Sequence, residues 1–216
     1  MAVEDALEEV AAEVRVCTKC DLCKNTKNGV PGEGSPHAEV LFIGEAPGYH
    51  EDRQGRPFIG PAGQFLNELL GSVGLDRNSV FITNVVKHRP PDNRDPLPDE
   101  IAACSDYLTR QIAALNPKVI VTLGRFSMAR FFPGAKISAI HGQAKKIDGR
   151  VVVAMFHPAA ALHQQSLRQT VIDDFKRSIP PALAEARRLE AEGASGATAE
   201  KKDDTDGEPP KQLSLF

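Results

Sequence analysis

The hydrophobic pattern changes period repeatedly along the chain. Leu7, Val10 and Val14, with neighbouring alanines, recur at helical spacing over 5–16. Residues 39–43 form an apolar run closed by Gly44, which predicts a strand buried on both faces. Phe65, Leu66, Leu69 and Leu70 return to helical spacing within 62–73, and Gly74 stops that helix. A second strand, Val80-Phe81-Ile82-Thr83, ends at Asn84. Segment 87–96 contains Pro90, Pro91 and Pro96 among turn formers and predicts irregular structure. A helix over 98–115 enters through Asp99-Glu100, charges that suit its positive end, and leaves at Pro117. Residues 118–123 predict a third strand ended by Gly124, and 125–132 a short helix stopped by Pro133-Gly134. A fourth strand over 150–156 delivers His157-Pro158, and 166–192 is a last helix or helix pair interrupted at Pro180-Pro181.

Strands alternating with helices predict an α/β protein whose parallel sheet is flanked by helices. The strand ends are polar: Gly44-Glu45, Asn84, Gly124 and His157. A parallel sheet brings them to one edge, where open α/β sheets place their ligands. From 193 to 211 the chain turns to Gly, Ala, Ser, Thr, Lys, Asp, Glu and Pro, a composition too polar to order itself. The expected organisation is therefore one folded domain over 1–192, a disordered acidic linker over 193–211 and a terminal peptide over 212–216. That peptide, Gln212-Leu213-Ser214-Leu215-Phe216, places apolar anchors at the tip of the tether and reads as a docking segment.

Composition narrows the function. No apolar run approaches the ~20 residues of a membrane span. The acidic amino terminus lacks a signal-peptide pattern, so a cytoplasmic, nucleoid-associated protein without membrane contact is expected. The net charge of -3 over 216 residues argues against a simple nucleic-acid coat. Bases nevertheless outnumber acids over 118–176, so a locally positive face is expected.

Four cysteines in a cytoplasmic chain point to metal or redox chemistry before disulfides. Cys17-x-x-Cys20 has the spacing that lets two thiolates reach one iron or zinc centre. A four-ligand site needs two further donors. Cys104 is one, and the other is Cys23 or His88; spacing alone favours Cys23.

In the loop after the first strand, Gly44 and Gly48 allow close backbone approach and Pro47 stiffens the turn. Its carboxylates Glu45, Glu51 and Asp52 disfavour a nucleotide-phosphate cradle. Asn84 offers an amide that donates and accepts at once, suited to reading a base edge. His157 at a strand end is a donor for developing negative charge. Phe58, within a Gly-Pro loop, can stack on a planar ligand.

These motifs together carry a resemblance. Gly44-Glu45-Ala46-Pro47-Gly48-x-x-Glu51-Asp52, Arg56-Pro57-Phe58-Ile59-Gly60, Asn84-Val85-Val86-Lys87, Arg89-Pro90-Pro91 and Phe156-His157-Pro158-Ala159 resemble the iron–sulfur, family-four uracil-DNA glycosylases. The resemblance spans about 16–177. It implies a three-layer α/β/α sandwich with a four-stranded parallel sheet, acting as a monomer on uracil in double- or single-stranded DNA to begin base-excision repair. It implies that Gly44, Glu45, Ala46, Pro47 and Gly48 line the uracil pocket and the attacking water. Glu51 would block a thymine methyl, Phe58 stack on uracil, Asn84 pair with its polar edge and His157 donate to its carbonyl oxygen. Glu45 and His157 are the implied catalytic residues.

The resemblance also implies a [4Fe–4S] cluster held by Cys17, Cys20, Cys104 and the position of His88. There this chain departs from the family's usual Lys-Cys-Arg-Pro-Pro, although imidazole replaces thiolate in some clusters. A related branch that cross-links itself to DNA shares Lys-His here. It carries Gln in place of Ala46 and a basic insertion, both absent from this chain, so turnover is expected rather than cross-linking or sensing alone. Leu162, in the segment after His157, is the expected DNA-intercalating wedge, and Arg56, Lys87, Arg89, Arg125 and Arg168 are expected phosphate contacts. Gln212, Leu213, Leu215 and Phe216 resemble the peptide that docks on the bacterial sliding clamp.

Overall fold

The computed structural model describes the backbone over 2–200 and side chains over 2–192. In chain order its elements are α1 (Val3–Arg15), β1 (Glu33–Gly34), β2 (Val40–Gly44), α2 (Tyr49–Gln54), α3 (Pro61–Ser72), β3 (Phe81–Asn84), α4 (Pro98–Leu115) and β4 (Val119–Leu123). There follow α5 (Arg125–Ala129), α6 (Ile137–Ile140), β5 (Ala144–Ile147), β6 (Arg150–Met155), α7 (Pro158–His163) and α8 (Ser166–Glu200).

The sheet order is β1-β3-β2-β4-β6-β5. The four inner strands are parallel, as the apolar runs predict. The expected count of four is corrected to six, because a short antiparallel strand is added at each edge. Neither edge strand has a readable pattern: β1 is two residues long, and β5 is Ala-Lys-Lys-Ile with its lysines exposed. Lysines on an edge strand also discourage pairing with another chain.

Alternate side chains of the central strands feed two cores, which makes the fold a three-layer sandwich. Val40 and Phe42 of β2 join Phe65, Leu66, Leu69 and Leu70 of α3, Ala161 of α7 and Phe175 and Ile179 of α8. Leu41 and Ile43 point the other way, to Val10 and Val14 of α1 and Cys104, Tyr107 and Leu108 of α4. β2 lies between β3 and β4, so the chain reverses its winding direction there. That is the switch point beside which the carboxyl ends of the strands open a crevice.

Two expectations about the last helix are revised. α8 continues through Pro180 and Pro181, with Ala182 packed into the first core beyond them. The helix also runs past 192 to Glu200, carried by Ala194, Ala197 and Ala199, strong helix formers, in spite of Gly193 and Gly196. The rest of the expected linker and the peptide 212–216 lie outside the described residues.

Candidate active site

A cavity of about 420 Å³ opens at the carboxyl edge of the sheet, lined among others by Glu45, Ala46, Pro47, Gly48, Glu51, Phe58, Asn84 and His157. Of the expected uracil-binding residues only Gly44 is not in that lining; it lies against the Phe58 ring and the Asn84 side chain. Gly44 pairs with Asn84 across β2 and β3. A Cβ on Gly44 would stand 2.4 Å from Asn84 Oδ1 and 2.5 Å from the Phe58 ring, so only glycine fits. Asn84 is buried, and its Oδ1 has no hydrogen-bond partner. An orphaned buried acceptor facing a cavity is costly unless a ligand donor meets it.

The backbone holding Asn84 is strongly tied. Val85 and Val86 N–H donate to the Gly44 and Glu45 carbonyls, continuing the parallel pairing past the strands. Lys87 is fully buried, and its Nζ donates to Thr83 Oγ1 at 2.7 Å, the Asn84 carbonyl at 2.8 Å and Gln111 Oε1 at 2.7 Å. Burial lowers its pKa to about 7. The expected phosphate contact at Lys87 is therefore overturned: its ammonium faces inward and braces the strand end.

His157 follows β6 by two residues and caps α7. Its Nδ1 accepts the Ala159 N–H at 3.1 Å, which leaves the proton on Nε2. Desolvation lowers its pKa to about 4, so the ring is a neutral donor at working pH. It lies 5.5 Å from the Phe58 ring, at 30° to it. Glu45 is half-buried, and its pKa is raised, chiefly by desolvation and secondarily by Asp95.

The loop acids are structural as well as polar. Glu51 Oε1 accepts the Ile59 and Gly60 N–H groups at 2.9 and 2.8 Å, tying α2 to the loop that carries Phe58. Asp52 accepts from the Lys27 and Asn28 N–H groups at 2.8 and 3.2 Å. Because α2 buries acids rather than apolar residues, hydrophobic periodicity could not reveal it.

Beyond α2, Cys17, Cys20 and Cys104 pack around the second core. The Lys87 N–H donates to Cys104 Sγ at 3.2 Å. Burial raises the pKa of both Cys20 and Cys104. His88 is buried, and a Cβ on Gly29 would stand 3.1 Å from its Nε2 and 2.3 Å from the Val14 carbonyl, at the end of α1 that leads into Cys17. Cys23 follows in a 3-10 turn, half-buried and outside that core packing. Among the described residues no three His, Cys, Asp or Glu groups converge on the position of a single ion.

Leu162 is 41 % exposed on α7, beside the cavity and not in its lining. The surface arginines are already engaged: Arg56 with Glu33, Arg125 with Asp95, Arg168 with Glu68 and Arg89 with Asn93. Cavity residues to which the sequence assigned no role are Ala62, Pro90, Asn93, Arg94, Ala159, Ala160 and His163, of which Pro90 and Ala159 lie within its motifs. Pro90, Asn93 and Arg94 belong to the proline-rich segment, whose irregularity was the available signal.

A sequence profile of the Uracil DNA glycosylase superfamily matches residues 31–178. A type-4 uracil-DNA glycosylase of Sulfurisphaera tokodaii is 48% identical over 185 residues, covering 80% of this chain and 83% of the relative. Its counterpart in Archaeoglobus fulgidus is 46% identical over 182 residues, 80% and 92% of the two chains. That of Saccharolobus solfataricus is 47% identical over 185 residues, 80% and 85%.

Proposed function

Because the chain belongs to the uracil DNA glycosylase superfamily, among its type-4 members, and is thereby a DNA N-glycosylase, we propose that it hydrolyses the N-glycosidic bond of deoxyuridine in DNA. The observation that carries this reading is the unpartnered Asn84 Oδ1 in a cavity that Phe58 and His157 also line. An acceptor there suits the ring N–H of uracil, and the same amide's NH₂ suits the neighbouring carbonyl. Cytosine presents the opposite pattern.

The target base leaves the stack to reach the cavity, at least cost where it is mispaired. Phe58 covers the ring and Leu162 fills the gap left in the duplex. Glu51, braced against Ile59 and Gly60, excludes a thymine methyl. As the glycosidic bond breaks, the electron pair leaves on uracil and positive charge develops on the sugar. The neutral His157 donates its Nε2 proton in a hydrogen bond to the uracil oxygen that gains charge, a contribution of about 10²–10³ in rate for such a donor. Glu45 orients water on the sugar and takes its proton. Surface arginines exchange their present side-chain partners for phosphates.

Cys17, Cys20, Cys104 and His88 fit a [4Fe–4S] cluster: three thiols pack on one core, a buried neutral-leaning imidazole lies near the Val14 end of α1 that leads into Cys17, and a backbone N–H is aimed at one sulfur. Donors spread over a core suit several irons better than one ion. Bound, the cluster would cross-link the end of α1, α4 and the segment after β3. This assignment favours His88 over Cys23, on burial and on its place in the segment leading from Asn84. The protein is read as a cytoplasmic, nucleoid-associated monomer, with Gln212, Leu213, Leu215 and Phe216 docking on the sliding clamp. Linkage through a tether would raise its effective concentration at DNA. Deleting 212–216 should abolish clamp binding in a pull-down and leave cleavage of a free oligonucleotide unchanged.

The function is tested with oligonucleotides bearing U opposite G, U opposite A, T opposite G, and single-stranded U. Alkali-labile breaks in every uracil substrate and none at thymine are expected. A protein–DNA band persisting on a denaturing gel, without free uracil, would instead mark a cross-linking relative.

A further inference from the structure

Phe58 has a positive φ of 49°, a left-handed backbone conformation that strains a bulky residue. Such a conformation persists only where its surroundings hold it. The Gly63 backbone packs closely against this residue: a Cβ there would lie 1.8 Å from the Phe58 carbonyl oxygen, so only glycine permits the approach. From the side comes Arg77, in the turn between α3 and β3, outside the cavity lining. Its Nη1 donates to the Phe58 carbonyl at 3.0 Å and to Asn67 Oδ1 at 3.2 Å. Its Nη2 donates to the Pro57 carbonyl and to Glu33 Oε1 at 2.7 Å, and its Nε to the same Glu33 oxygen at 3.0 Å. All five guanidinium donors are thereby used, two of them on consecutive carbonyls of the strained loop.

Glu33 fixes the other side of this arrangement. It lies on β1, which pairs Glu33 with Ile82 of β3, and it also accepts from Arg56 at 2.7 and 3.1 Å. Its pKa is lowered by these guanidinium groups against the opposing effect of burial. The two-residue edge strand thus presents one carboxylate that orients the Arg77 fork.

Resting on the glycosylase reading above, we infer that Arg77, oriented by Glu33, is a positioning residue that holds Phe58 in its strained backbone and so sets the ring over the base. Neither side chain touches the substrate; both act through the loop. A lysine cannot reproduce the role, because an ammonium lacks the planar fork that spans two carbonyls and a carboxylate.

The test is a double-mutant cycle of Arg77→Met and Phe58→Ala, read by single-turnover release of uracil, with thermal unfolding followed in parallel. Arg77→Met should lower the rate by about 10²-fold, the scale expected when a contact is misplaced by about 1 Å. Arg77→Lys should fail to restore it. In the Phe58→Ala background Arg77→Met should cost no further rate, although it still lowers the unfolding temperature. A merely structural role would lower stability in both backgrounds and multiply the rate losses, and that result overturns the inference, as does an unimpaired Arg77→Met. If Arg77→Met does not fold, Glu33→Gln takes its place in the cycle under the same criteria. A wild-type chain that releases no uracil would overturn the glycosylase function itself; an active wild type with independent losses overturns this role alone.

Discussion

Replacing His157 by alanine should cut single-turnover cleavage by about 10²–10³-fold while the fold survives. The ring's Nε2 proton is held in place by the Ala159 N–H on Nδ1, and nothing else in the cavity lining is so placed at the end of β6. The pH dependence separates this group from Glu45. His157 titrates at about 4, so it stays neutral through the working range and gives the rate profile no limb there. Glu45 must be ionised to take a proton from water, and its pKa is raised by desolvation. The rate should therefore climb with pH through a limb above the ordinary carboxylate value, and Glu45→Gln should remove that limb with most of the rate. Stability carries the opposite signature of the histidine. Its folded pKa lies below its unfolded value of about 6.5, so the unfolded chain holds more protons between the two. Stability falls as pH drops through that window. His157→Ala should flatten that fall, seen as a smaller change in unfolding temperature between neutral and acidic buffer.

Asn84→Leu should be the second large effect. The isosteric side chain keeps the packing against Gly44 and Phe58 but offers uracil's polar edge no partner. Two base-edge hydrogen bonds are lost at a desolvated site, which predicts a fall of about 10²-fold or more in cleavage of uracil. Sites that read polar groups discriminate by about 10⁴–10⁵ because a wrong ligand leaves buried groups unpaired. The variant should accordingly lose preference for uracil over cytosine as well as speed. Competition by free uracil measures the binding part directly: the leucine variant should be nearly insensitive to it. Undiminished inhibition would place the reading of the base elsewhere.

The parallel sheet was legible in the sequence because each inner strand is buried on both faces and announces itself as an uninterrupted apolar run. The strand-end residues were legible for the same reason, since a run that stops at Asn84 or His157 in a parallel sheet puts both at one edge. α2 and β1 were not legible, and both matter. Glu51 and Asp52 are buried through backbone donors that lie far off in sequence, at 59–60 and 27–28, and Glu33 is met by Arg77 at a separation of 44 residues. No local period encodes such pairings. Lys87 misled for a related reason: a lysine beside a histidine, an arginine and two prolines looks like a surface charge, yet its stem curls back onto its own strand, where its ammonium meets two oxygens and a third from Gln111 of α4.

Gly44 sits directly against two groups that line the cavity, and this determines what can be altered by mutation. At Gly44 the Phe58 ring and Asn84 Oδ1 already occupy the space a Cβ would need. Even the single methyl of Gly44→Ala would press on both at once, and neither gives cheaply: Asn84 is held by its strand pairing and Phe58 by its loop. A change at this one main-chain position is thus transmitted to both groups together, whereas changes elsewhere in the lining act on one group at a time. Variants selected for altered substrates should consequently keep Gly44 and vary the lining instead.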